Sequence, residues 1–460
     1  MTDTTTATTT RIAAAAGDLT RHVDSARVLT IGPDYDAAVM VWNGAVHIRP
    51  AMVVLCESAA DVQAAVRIAR AHDLPLSVRG GGHDWAGRAL REGGVVVDLT
   101  RMRQVTITGQ SATAQGGATS LDVLTAAGPH GLVAATGSIG SVGITGLTLG
   151  GGYGALAGVV GLAADNLLGA DIVMADGRTV HADPTHEPEL FWALRGGGGN
   201  FGIVTALTIR LHPLQTILAG AIAFSWDQAT TVLTGLAEVL RTAPDELTAQ
   251  TGILTGPDGS PAVFVLPTWS GHPDEGAAVI ATITALGSPL IAQIGPMPYA
   301  TMIASNDALM QNGLCYSIRS RNLDALTPTV IATLVAAGAN RTSPASMISL
   351  HHFHGAASRV PVTDTAFGLR RDHLMVEIIA AWQSTDDDTA HRAWAADLDA
   401  ALIPDALPGG YPNLIGPDAT DQAARAYGPN TARLLIAKTH FDPDGVFTAT
   451  TLPTLPTLTA

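Results

Sequence analysis

Three stretches of nearly bare backbone constrain this chain most: Arg79-Gly80-Gly81-Gly82-His83, the run over residues 137–154, and Gly196-Gly197-Gly198-Gly199-Asn200-Phe201-Gly202. Glycine lets successive amide N–H groups approach a ligand and reach positive φ, forming a concavity that suits an anionic group such as a pyrophosphate. Tight turns and sheet corners use glycine equally well, so the glycines alone leave both readings open. The spacing is more selective. No segment fits GxxxxGK[ST], and residues 150–154 lack GxGxxG inside a βαβ unit, which disfavours two common phosphate cradles. Gly137-Ser138-Ile139-Gly140 is not a GxSxG nucleophile elbow. Residues 143–166 carry one charge, but their eight glycines, each costing about 1 kcal/mol in a helix, argue against a membrane span.

A single core stops growing near roughly 250–300 residues, so a chain of 460 predicts at least two packed lobes. Acidic side chains outnumber basic ones by 40 to 25; the net charge of -15 repels phosphate backbones and anionic lipid, leaving no nucleic acid or membrane partner expected. Cys56 and Cys315 belong to no Cys-x-x-Cys or Cys/His cluster, which predicts buried thiols without a disulfide or zinc. His351, His352 and His354 lack an acidic or thiol companion at helical spacing, so a sheet-lining or pocket role is expected and no metal. Residues 1–10 are threonine-rich, with neither a basic n-region nor an apolar run; they predict a frayed tail, no export signal and a cytoplasmic location. A tail with little order is expected over residues 451–460 as well.

The coarse pattern is α+β. Ser58-Ala59-Ala60-Asp61 matches a capping box that opens an amphipathic helix ending near Leu74. Strands follow over residues 76–78 and 95–99, with strand-turn-strand character over residues 169–182 around Asp176-Gly177. After His212-Pro213-Leu214 glycine thins out, and strand-like runs at residues 221–226, 262–269 and 375–382 alternate with helix-like residues 228–241 and 327–337. This predicts a second lobe, an antiparallel sheet backed by helices.

These motifs resemble the berberine-bridge-enzyme-like flavoproteins of the vanillyl-alcohol-oxidase superfamily, of the bacterial type with a single covalent attachment. Arg79 to His83 is similar to the family's Arg-Ser/Gly-Gly-Gly-His turn, Val142-Gly143-Ile144-Thr145-Gly146 through Gly154 to its second FAD loop, and Asp165-Asn166 to the element after it. Gly199-Asn200-Phe201-Gly202-Ile203-Val204 and Tyr411-Pro412-Asn413 follow in the family's order. The resemblance implies a PCMH-type FAD-binding domain over residues 34–214, a substrate-binding domain over 215–406, and a C-terminal segment, 407–450, that returns to the first. It implies FAD held by Arg79, Gly80, Gly81, Gly82, Val142, Gly143, Gly146, Gly150, Gly152, Asp165, Asn166, Gly199, Asn200, Gly202, Val204, Tyr411 and Asn413, and bonded covalently to His83.

It further implies hydride transfer from a small, fairly apolar natural product to the flavin, with O2 as oxidant and H2O2 as product. A carbohydrate hydroxyl or a cyclic amine is the alternative substrate; a flavin-binding protein without turnover is the reading outside enzymes. Val142 resembles a small gatekeeper that leaves room for O2. Departures narrow the picture. Ile139 stands where many members carry a second attachment cysteine, and Leu414 where a tyrosine base is common. Gln383 appears at the strand position of a catalytic glutamate or glutamine, and an amide orients substrate without accepting a proton. Tyr153 is then the candidate base, with a pKa near 10 that calls for a cation such as Arg319. In the alternative, Tyr153 packs on the flavin and Arg319 pairs with a carboxylate. Glu377 is a further candidate, and Trp85 is expected to line the pocket.

Overall fold

The computed structural model describes residues 2–453, with side chains from Thr9 onward. The last seven residues of the expected C-terminal tail therefore lie outside the described residues, as does Met1. The N-terminal expectation is corrected: Thr2–Leu19 is a helix. Alanines at 13–16 favour it, and Ala15 and Leu19 are fully buried in one core with Val62, Ala65 and Ala69 of the helix Ala59–Ala71. Packing on a neighbouring helix, which local composition does not reveal, supplies the order.

The first sheet runs Val28–Leu29, Met52–Leu55, Val95–Asp98, Leu76–Arg79 in spatial order. Its last three strands are parallel, and Met52–Leu55 and Leu76–Arg79 are joined by the helix Ala59–Ala71, whose Ser58 and Asp61 form the expected reciprocal cap. A second, antiparallel sheet centres on the long strand Ile203–Pro213, flanked by Ser111–Gln115 and Leu167–Val173. In it, Leu167–Val173 and Thr179–Ala182 form a hairpin whose turn places Gly177 at φ +79°.

The third sheet has seven antiparallel strands, all drawn from between Ile217 and Trp382. Helices Ala229–Arg241, Pro328–Ala339 and Asp388–Leu402 cover one face, burying Val232, Leu236, Leu334 and Leu398 against it. Four strands of this sheet contribute side chains to a cavity: Leu247–Thr255, Cys315–Leu323, Met347–Phe353 and His373–Trp382. Residues beyond Ile403 then fold back, with Ile415, Tyr427 and Leu434 entering the same core as Phe201 and Leu207. Both cysteines are free and buried. No helix among the described residues is long and apolar enough to cross a membrane, and no metal-binding group occurs among them.

Candidate active site

Strand Leu76–Arg79 ends in the first glycine turn, and the second glycine run comes directly against it. A Cβ on Gly81 would sit 2.4 Å from the Gly143 nitrogen, and one on Gly143 would sit 2.5 Å from the Gly81 nitrogen, so only glycine permits this approach. Among the described residues none of the Gly80, Gly81, Gly82 or His83 amides donates a hydrogen bond. Gly199, Gly202 and Val204 close a third side, and the three ribbons bound a cavity of about 590 Å³. Ser77 Oγ and Thr145 Oγ1 are buried at its wall without a hydrogen-bond partner among the described residues. Bare amides and orphaned hydroxyls in one deep groove fit an elongated polar group such as a dinucleotide.

His83 lines this cavity, stacked on Trp42 at 5.0 Å between ring centroids. Burial pushes its pKa down to about 4, so the ring is neutral at neutral pH. Of the other residues expected to hold cofactor, Val142, Gly146, Tyr411 and Asn413 also face the cavity. Tyr411 Oη accepts from the Gly152 amide and from Asn413 Nδ2, both at 3.0 Å, which keeps its own hydrogen for a ligand.

Six expected cofactor ligands do not line the cavity and brace the loops from behind instead. Arg79 bonds the carbonyls of Ala38 and Met40. Asp165 pairs with Arg370 at 2.6 Å, and Asn166 binds the carbonyls of Val160 and Leu162 and His212 Nε2. Asn200 bonds Gly197 O and Thr450 Oγ1. Gly150 leaves room for Asn413 and Gly152 for Ala163, so these glycines serve packing.

The catalytic expectations change more. Gln383 lies in an exposed turn one residue past the strand His373–Trp382, its backbone N–H donating to Asp386 Oδ2, and it does not line the cavity. Arg319 pairs with Asp418 at 2.7 Å rather than with Tyr153. Tyr153 is at the cavity wall, but its hydroxyl donates to His373 Nε2 at 2.6 Å, since His373 Nδ1 is committed to the Arg371 carbonyl at 2.7 Å. Burial raises its pKa well above the usual phenol value, which suits it poorly as a base. Trp85 does line the cavity.

The strand alternation brings Met375, Glu377 and Ile379 to the cavity, and Glu377 is the acid in a strand that is apolar from Leu374 onward apart from it. Its Oε2 is 3.3 Å from His351 Nε2, and Ser349 Oγ links His351 (3.3 Å) to Gln250 Nε2 (3.1 Å). His351 thus takes the pocket role expected of the histidine cluster; His352 and His354 stack on each other at 3.9 Å, both buried. A lone carboxylate inside a run of buried apolar residues was the signal in the sequence for Glu377.

Fold and site together define an FAD-binding oxidoreductase of two lobes. The FAD binding domain family matches residues 50–183, and the Berberine and berberine like family matches residues 410–451. The chain is 31% identical to (R)-6-hydroxynicotine oxidase of Paenarthrobacter nicotinovorans, over 90% of this chain and 93% of that protein. It is 30% identical to the FAD-linked oxidoreductase aurO of Gibberella zeae, over 90% and 83%. The crystal structure of 6-hydroxy-D-nicotine oxidase from Arthrobacter nicotinovorans superposes with a TM-score of 0.85 at 29% identity, covering 93% of this chain and 97% of that one. A BBE-like protein of Physcomitrella patens shares the fold at TM-score 0.86 and 22% identity, covering 96% and 99%. The chain belongs to the berberine-like family of FAD-linked oxidoreductases, and it is an FAD-dependent oxidase.

Proposed function

We propose that the enzyme oxidises a small, largely apolar molecule at a carbon bearing an amine or hydroxyl group, with its FAD tethered through His83 and O2 as terminal oxidant. The three glycine ribbons would hold FAD, which would supply the hydride acceptor, with O2 reduced to H2O2 as the balancing half-reaction. The observation that carries the reading is Glu377 beside His351, at the sheet wall of the same cavity that His83 lines. Glu377 is placed to accept the proton from substrate N–H or O–H, and His351 orients the carboxylate. Val142 lines the cavity with a small side chain, in keeping with an O2 route.

A cyclic amine is favoured over a sugar. Trp42, Trp85, Ile318, Met347 and Met375 supply apolar wall, while Gln250, Ser349, His351 and Glu377 form one compact polar cluster that is already bonded internally. Similarity to a nicotine oxidase points the same way. Glu377 also offers a proton acceptor where Leu414 and Gln383 have none, which favours turnover over a flavin-binding protein without it.

The test is twofold. Cyclic secondary amines, secondary alcohols and oligosaccharides are mixed anaerobically with the enzyme, and amines are expected to bleach the flavin, with H2O2 released in air. Bleaching by oligosaccharides alone overturns the substrate class, and reduced flavin that persists in air overturns O2 as oxidant. Acid precipitation is expected to leave colour in the wild-type pellet and in the His83→Ala supernatant; colour in the wild-type supernatant rules out attachment.

A further inference from the structure

Among the described residues His83 makes one side-chain hydrogen bond, between Nε2 and Ser141 Oγ at 3.0 Å. Ser141 in turn donates twice to the same oxygen, Asp307 Oδ1, through its hydroxyl and its backbone N–H, each at 3.1 Å. Asp307 follows the helix Tyr299–Asn306, far from Ser141 in sequence, and Asn306 Nδ2 ties down the same loop at Ser138 O, 3.0 Å away. Ser141 and Asp307 do not line the main cavity. They face a separate one of about 330 Å³ behind the first glycine turn.

The donor count fixes the ring. A carboxylate only accepts, so the single hydroxyl hydrogen of Ser141 goes to Asp307, and Ser141 Oγ has only lone pairs to offer His83. Nε2 therefore carries the imidazole hydrogen. Nδ1 is left with its lone pair and has no hydrogen-bond partner among the described residues. Stacking on Trp42, 19° from parallel, fixes the ring plane as well.

We propose that Ser141 and Asp307 are positioning residues that hold His83 as the neutral Nε2–H tautomer, making Nδ1 the nitrogen presented to the cofactor. The role rests on the reading of His83 as the attachment residue. In Asp307→Ala the Ser141 hydroxyl is free to donate to Nε2, which moves the hydrogen to Nδ1 and blocks that nitrogen. Asp307→Asn keeps an acceptor, because the Ser141 backbone N–H obliges the amide oxygen to face it.

Wild type, Ser141→Ala, Asp307→Ala and Asp307→Asn are purified as holoproteins, and total flavin is read from the native spectrum. The fraction retained after acid precipitation is then measured, and the linked nitrogen is identified by NMR of the proteolytic flavin peptide. We expect native flavin binding in all four, near-complete retention at Nδ1 in wild type and Asp307→Asn, and at least a fivefold lower retained fraction in the two alanine variants. Full retention at Nδ1 in both alanine variants overturns the positioning role and leaves the attachment standing. Wild-type linkage at Nε2 also overturns it, and colour released from wild type overturns the attachment and this role together. Should an alanine variant bind no flavin, the linked nitrogen in wild type and the retained fraction in Ser141→Thr, expected to match wild type, decide the matter; a Ser141→Thr fraction as low as that expected for alanine overturns it.

Discussion

Glu377 and His351 stand diagonally across neighbouring strands, with Oε2 3.3 Å from Nε2 and both side chains 15% exposed. A proton acceptor held this way acts on a bound substrate without first reorganising. Glu377→Gln keeps the shape and removes the basicity, so anaerobic flavin reduction should slow by about 10²- to 10⁴-fold. Flavin content should be unchanged. Stopped-flow reduction at wild-type speed would assign the proton to another group.

Tyr153 plays a different part, because its hydroxyl is spent on His373. Tyr153→Phe leaves a buried imidazole nitrogen without its donor, a loss of about 1–3 kcal/mol in stability. The reduction rate should fall by less than tenfold. Thermal unfolding and single-turnover kinetics on one preparation separate the two effects.

Burial holds His373 at about 4, against an ordinary value of 6.5. Between these limits the unfolded chain takes up a proton that the folded protein refuses, so stability drops as pH falls from 6.5 towards 4. The loss from this residue reaches roughly 3 kcal/mol below the lower limit, and none of it is present above the upper one. His352, held at about 3, deepens the decline. Melting temperature measured against pH should show it, with a shallower slope in His373→Gln; an equal slope would exclude His373 as a source.

Gly81→Ala places a methyl against the Gly143 backbone. Neither ribbon can yield without opening the groove, and overpacking of this kind costs about 1–3 kcal/mol. The purified variant should carry less flavin per chain, read from the ratio of visible to ultraviolet absorbance. A wild-type ratio would show that the ribbons move apart freely.

Arg319→Ala and Gln383→Ala test the corrections. The Asp418 partner of Arg319 is 58% exposed, so the pair contributes at most about 1 kcal/mol. Gln383 sits in an exposed turn. Turnover within twofold of wild type is expected for both, and a hundredfold loss in either would return that residue to the active site.

The glycine ribbons were legible because the absence of a side chain is itself the message, as Gly81 against Gly143 shows. Polar residues were not, since type does not reveal which groups satisfy them: Asp165 reads as a ligand until Arg370 is seen beside it. Gln383 shares its parity with Glu377, and the strand's end at Trp382, a boundary invisible in periodicity, removes it from the cavity. The His83, Ser141 and Asp307 chain joins three distant segments, and no local pattern encodes it.

Asn200 exchanges hydrogen bonds with Thr450, a residue 250 positions further along, through Nδ2 to Oγ1 and from the Thr450 amide to Oδ1. During synthesis the third ribbon therefore leaves the ribosome long before the segment that clasps it, and the groove assumes its final form only once Thr450 has emerged. A groove whose third wall is clasped from so far along the chain is a product of the assembled fold and not of any one segment of it.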